Sequence, residues 1–395
     1  MDSWLIIPRD PLIFRDGKPF TATPGERAKS LGFPFPSTVT GAVRTRMGTD
    51  PQKGFDASRI AELLGKTVRG PFLVELNHTG SIERRYFPAP ADALLVRADD
   101  KNEFHLYALA PIKPPQDALT DLTADKPGLS LVGHVPHVKD KPYHKAPRYW
   151  DWDRMKSWLE NATDNRSMDP TALGLEDLHR EHRTHVSIEP GIQAAREGAL
   201  FQTSGMEFTH IELNADQRIH DARPLAVALE TDADLTEGVD FLGGERRVVN
   251  WQKTKNSQNA LPEPKCPDVI KNNIVAARHC RLILATPAYF AKGYLPEYLE
   301  SHFRARVVAV ALSRYQTVSG WDYTKGKGGA PKPTRRLVPA GSVYFLDLKD
   351  TDIVRFVNDV WLESVCNDGQ SRNDGFGLAL LGTWDGSVHD MEVKS

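Results

Sequence analysis

Apolar residues in this chain fall in short runs separated by polar stretches rich in glycine and proline, the pattern of an α+β protein. Residues 4–7 (WLII) read as a buried strand, and 8–36 as a long irregular connection. Pro36 then ends an extended aromatic run, and Ser37 is placed to N-cap a helix. Val39, Val43 and Met47 recur on one face as its core stripe. Strand-like runs follow at 72–76, 93–96 and 104–109. Residues 111–147, full of Pro, Gly, His and Lys, read as a surface excursion with little core of its own. A short helix is expected over 150–159. Strands at 184–188 and 200–208 flank PGIQAAREGA, which reads as a long protruding loop. A strand at 225–229 and the segment 241–251, with GGERR leading into VVNW, complete this part.

The last third is more regular. It predicts a strand at 282–285, a helix at 296–303, strands at 306–312 and 342–348, a helix at 352–362 and a strand at 378–384. In the second helix Ile353, Phe356, Val357 and Val360 recur at helical spacing. The order β-α-β-β-α-β is the ferredoxin-like pattern. The chain also opens strand, helix, then later strand pairs, so the expected fold is α+β with two ferredoxin-like (RRM-like) domains. The first, 1–275, carries heavy insertions near 65–180, and the second is 276–395. The boundary is expected in the polar, proline-bearing segment 254–273.

The chain has 395 residues, enough for two cores, and 50 Lys+Arg against 52 Asp+Glu give a net charge of −2. A protein that coats long nucleic acid is usually basic overall, so any RNA contact must come from local patches. Cys266, Cys280 and Cys366 form no CxxC pair. This argues against a disulfide framework or zinc ribbon and fits a reducing cytoplasm. The N-terminus lacks the pattern of a signal peptide, and no apolar run approaches the roughly 18 residues of a membrane span.

Several clusters suit phosphates. Ser37, Thr38 and Thr40 lie at a helix mouth with Arg44 and Arg46 one to two turns on, so free N–H groups and bidentate forks could meet a backbone. In LGGERR, Gly243 and Gly244 permit close approach, and Arg246 and Arg247 supply cations. A palm-type cyclase would need paired aspartates there. Residues 321–336 hold Lys325, Lys327, Lys332, Arg335 and Arg336 against Asp322, a local charge of about +4. GKGG lacks the following Ser or Thr and the helix of a phosphate loop, which excludes nucleotide hydrolysis. His179, His182 and His185 are spaced by three, but a helix-to-strand change near Thr184 would splay the third ring, so no metal is expected. His220-Asp221 and His389-Asp390 read as surface dipeptides.

Six motifs then stand in one order: PLIFRDGKPF, FPFPSTVTGAVRTR, RTHVSIEPGIQAAREGALF, FLGGERR, SGWDYTKGKGGAPKPTRRLVPAGSVYF and GFGLALLGTW. Together, from Trp4 to Trp384, they resemble the third-subunit family of type III-B CRISPR (Cmr) effector complexes, a branch of the RAMP superfamily. The resemblance implies a non-catalytic, cofactor-free, cytoplasmic RNA-binding subunit. It would grip the repeat-derived 5′ handle of the guide RNA and join the large palm-domain subunit, which makes cyclic oligoadenylates, to the backbone subunits. Target RNA, cut elsewhere, would concern it only indirectly. The resemblance also makes Gly375, Phe376 and Gly377 the glycine-rich loop, with Phe376 either stacking on a base or filling the core. It places Arg183, His185 and Arg196 on a hairpin reaching RNA or a neighbour. Two alternatives remain: a metal-independent guide-processing endoribonuclease using His185 with Arg183, and a bridge that touches RNA incidentally.

Overall fold

The computed structural model describes residues 1–395 except 16–26, 29, 99–102, 116, 117, 119–127, 166, 215, 217, 255–259, 323, 324, 326–328 and 392–395. The chain divides into two compact units of interleaved segments. The first is Met1–Arg84, Asp177–Ala260 and Thr317–Arg335; the second is Arg85–Glu176, Leu261–Gln316 and Arg336–Ser395. The chain passes between them after Arg84, Glu176, Ala260, Gln316 and Arg335, where one boundary at 254–273 was expected. Most of the stretch read as an insertion in the first domain, 85–176, instead groups with the second unit. Mixed helix and antiparallel sheet agree with the α+β expectation.

In the first unit the labelled elements are β1 (Asp2–Pro8), α1 (Pro36–Gly48), α2 (Ile60–Leu64), β2 (Val68–Leu76), β3 (Arg180–Glu189), β4 (Ala194–Met206), β5 (Ile219–Thr231), β6 (Gly238–Phe241) and β7 (Val248–Lys253). Within a larger sheet these strands lie in the order β2-β5-β1-β7-β6, each neighbour antiparallel. Trp4, Leu5 and Ile6 are all buried, as an unbroken apolar run in a central strand requires. Leu5 packs with Val74, Leu76, Ala226 and Ala228. Helix α1 starts two residues earlier than a Ser37 cap would place it. Pro36 occupies its first turn and Phe35, extended as residues before proline tend to be, is the cap without a side-chain bond. Ser37 is therefore inside the helix and not its cap. Val39 and Val43 are buried as anticipated.

Strands β3 and β4 pair from Arg180↔Met206 to Glu189↔Ala194 with a bulge near Val186 and Ile188. The long loop read into PGIQAAREGA is thus a tight turn at 190–193, because Ala194 and Ala195 continue the ladder.

The second unit has α3 (Asp268–Ala277), β8 (His279–Leu284), α4 (Glu297–Phe303), β9 (Arg306–Ala311), β10 (Val343–Asp347), α5 (Ile353–Val360) and β11 (Ala379–Thr383). Its sheet is β9-β10-β8-β11, again antiparallel throughout. Asp352 caps α5 by accepting from Arg355 N at 3.1 Å, and Ile353, Phe356, Val357 and Val360 are all buried. The 111–147 stretch is less bare than expected: Ala110–Lys113 pairs with Leu131–Gly133, and Ile112 and Leu129 are buried.

Taken in chain order, strands β1, β2, β5 and β7 stand second-third-first-fourth in their sheet, and β8 to β11 do the same in theirs. The first unit carries β6 and the GGERR turn where the second has α5. One buried ion pair holds the second unit's interior. Arg281 Nη1 meets Asp92 Oδ2 at 2.5 Å, both side chains almost fully enclosed. Arg281 also donates to Thr383 O at 2.8 Å and Trp158 O at 2.6 Å, while Trp158 Nε1 donates to Asp92 Oδ1 at 3.0 Å. Removing the carboxylate leaves a buried cation, so Asp92→Ala is expected to lower unfolding free energy by about 3–5 kcal/mol. Denaturant titration measures it.

Candidate nucleic-acid interface

The helix mouth does not hold its arginines out to solvent. Arg44 donates from Nε to Leu63 O at 2.9 Å and from Nη2 to Leu64 O and Lys66 O, each at 3.2 Å. It thereby satisfies the carbonyls left over where α2 ends. Arg46 donates to Thr236 O at 2.9 Å, pairs with Asp240 Oδ2 at 2.7 Å and lies over the Trp251 ring at 5.6 Å. Thr40 is fully buried, and Ser37 and Thr38 are half-buried, with Thr38 N donating to Phe35 O. The expected phosphate grip by Thr40, Arg44 and Arg46 is corrected accordingly: these groups fasten the protein to itself. Arg46 does so usefully, because Asp240 is on β6.

Gly375-Phe376-Gly377 is also a structural corner. Phe376 is completely enclosed, which settles its role as core, and both glycines are buried with φ near +85° and +70°. A Cβ on Gly377 would come within 2.7 Å of Cys366 Sγ. Gly375 O accepts from Thr286 Oγ1 at 2.8 Å. The triplet packs inward and offers no open surface to a base.

The GGERR turn is different. Gly243 has φ +77°, and a Cβ there would sit 2.5 Å from Ile13 O, so only glycine fits. Gly244 N donates to that same carbonyl at 2.7 Å. Glu245 and Arg246 follow with φ of 60° and 51°. Two successive left-handed residues with side chains cost about 1–3 kcal/mol each, a kind of strain that collects at functional sites. Arg247 pairs with Glu245 at 3.1 Å. Arg246 pairs with no carboxylate among the described residues; its guanidinium lies 4.6 Å from the centroid of Phe241, an exposed ring at the end of β6. Arg15, also exposed, brings its Nε about 3.5 Å from where a Gly244 Cβ would be. Residue type alone does not mark Phe241 or Arg15 in the sequence. The only signal is position, Phe241 opening FLGGERR and Arg15 closing PLIFR.

The hairpin and the basic loop present their cations singly. Arg183 is exposed and bonds Glu181 at 2.8 Å, a bond that raises its pKa further. His185 stacks on Phe201 with centroids 5.0 Å apart, and its Nε2 shares a hydrogen bond with Thr203 Oγ1 at 2.9 Å. Arg196 is exposed on β4. Lys325 is exposed, 4.0 Å from Asp322; Arg335 is half-buried; Arg336 lies 4.9 Å over Tyr315; Lys327 lies outside the described residues. Among the described residues no group of three or more His, Cys, Asp or Glu converges on a point.

Since Arg44 caps α2, Arg44→Ala is expected to reduce stability by about 2 kcal/mol, visible as a lower denaturation midpoint. RNA affinity per folded molecule should not change.

The family profile described as CRISPR-associated protein (Cas_Cmr3) matches residues 4–384. No curated protein matches the chain. Among solved structures, a chain of the cryo-EM structure of the Type III-B Cmr-beta bound to cognate target RNA is 14% identical, covering 87% of this chain and 86% of that one, with a TM-score of 0.43. A chain of the same assembly bound to cognate target RNA and AMPPnP, state 1, is 17% identical over the same shares, with a TM-score of 0.42. A chain of the Csm3-Csm4 subcomplex in the type III-A CRISPR-Cas interference complex is 8% identical, covering 87% of this chain and 92% of that one, with a TM-score of 0.36.

Proposed function

Since this chain belongs to the Cas_Cmr3 family of CRISPR-associated proteins, we propose that it binds the repeat-derived 5′ handle of the guide RNA within a type III-B ribonucleoprotein. In the same assembly it links the large palm-domain subunit to the backbone subunits, and it meets target RNA only indirectly. It performs no chemistry of its own. The observation that carries this reading is the turn at 241–247, where Arg246, paired with no carboxylate among the described residues, stands on an exposed ring, and Arg15 approaches the glycine pair that forms the turn. A chain of net charge −2 has no field to coat RNA, so a compact site of this kind suits one short RNA end. The shared second-third-first-fourth strand order supports the finer fold reading, two ferredoxin-like units, the first lacking its second helix.

The endoribonuclease alternative is less well supported. A general base needs a ring nitrogen within reach of the ribose hydroxyl. On His185, Nε2 is engaged by Thr203 and one ring face is covered by Phe201.

Two measurements test these points. Replacing Arg15 and Arg246 with alanine is expected to weaken handle-RNA binding at least tenfold. It should also flatten the plot of log affinity against log salt by about 0.7 for each phosphate that the protein no longer neutralises. Unchanged slope and affinity would refute the site. Repeat RNA incubated with the pure protein in chelator is expected to remain intact; specific cleavage abolished by His185→Ala would restore the enzyme reading.

A further inference from the structure

The outward face of β6 is exposed at Val239 and Phe241, while its inward residue Asp240 is tied to Arg46 at 2.7 Å. Among the described residues strand β6 pairs only with β7, so this is an open sheet edge with apolar side chains on its free face. Such a face suits either a protein strand or a flat ligand. The chemistry at Phe241 favours the second. A protein strand would bury Arg246 against apolar surface, and among the described residues no carboxylate stands there to receive it. An unpaired nucleobase instead stacks on a guanidinium plane, and the adjoining phosphate supplies the anion.

From this we infer that Phe241 and Arg246 form a stacking platform for one unpaired base of single-stranded RNA, in which the guanidinium is held between the Phe241 ring and the base. This deepens the handle-binding reading and rests on it. Arg246 is suited to the position because its head group is seated on the ring. Its backbone, at φ 51°, is set by the turn that Gly243 makes possible, and its head group lies over the ring at 4.6 Å. Arg46 is a positioning residue here: through Asp240 it holds the strand that carries Phe241. Stacking of this type is tolerant of base identity, so the platform provides affinity for an unpaired nucleotide and little sequence discrimination.

The experiment compares the full-length protein on two probes of equal length, oligoadenylate RNA and a ribose-phosphate oligomer without bases, across a salt series. Wild type is expected to prefer the oligoadenylate by roughly tenfold or more. Phe241→Leu, which keeps an apolar residue, should lose most of that preference, and Phe241→Tyr should keep it. Arg246→Lys keeps the charge but not the plane, so it should retain the salt slope and lose the preference. If Phe241→Leu and Arg246→Lys both keep the wild-type preference, the platform is wrong while RNA binding stands. If wild type binds neither probe, the platform and the handle-binding reading fall together. Loss of subunit assembly by Phe241→Leu with its base preference intact would assign the face to a protein strand and likewise overturn the proposal.

Discussion

Strand β1 lies between β5 and β7, partners drawn from residues 219–231 and 248–253, and everything proposed for the first unit depends on that pairing. Closing so long a loop costs chain entropy before any contact forms. The return comes from burying Trp4, Leu5, Ile6 and Trp251 almost completely. Once β1 is held, the chain beyond it is fixed as well. Leu12 N donates to Met206 O at 2.9 Å, and Ile13 O becomes the acceptor for Gly244 N. The GGERR turn is therefore docked onto the N-terminal segment and does not hang free. Its left-handed residues persist because the surrounding structure leaves them no alternative.

A second regularity is how this chain uses its cations. With basic and acidic residues in balance, most guanidiniums described above answer an internal need. Arg44 caps a helix end, Arg46 ties down an edge strand, and Arg281 neutralises an enclosed aspartate. Arg223 serves Glu75, a carboxylate with no exposure at all, together with His210 at 2.6 Å. Its bonds to Asp221 and then Glu75 raise its pKa further. In such a protein an arginine near a helix mouth is weak evidence of a ligand. The informative arginine is the one that has reached a surface position without a carboxylate.

The fold was legible where apolar runs determine burial. The strands near residues 4, 72, 225, 282, 306, 342 and 378 and helix α5 all lie where the pattern put them. Pairing between distant segments was not legible. Ala194 and Ala195 have no β preference of their own and are strand only because β3 lies opposite them. The interleaving of the two units leaves no local mark either, since contacts between remote segments decide it. At the site, the glycines were readable because a φ of +77° leaves glycine as the residue of choice. Phe376 and Phe241 were not separable in advance: both are phenylalanines close to glycines, and only the fold tells which is enclosed and which is open.

That last difference traces to a single exchange of elements. Both units contain four strands in the same order, with a connection between the third and fourth of them in the sequence. In the second unit that connection is α5, whose apolar stripe is buried along its whole length. In the first it is a four-residue strand and a turn, too short to carry such a stripe. A strand added at an edge satisfies its backbone on one side only, and its outward side chains have cross-strand neighbours on that side alone. Val239 and Phe241 are exposed for that reason, and the glycine turn that follows places Arg246 over the ring. Within one chain, then, the same strand order yields a closed core in one unit and an open aromatic edge with a cation in the other.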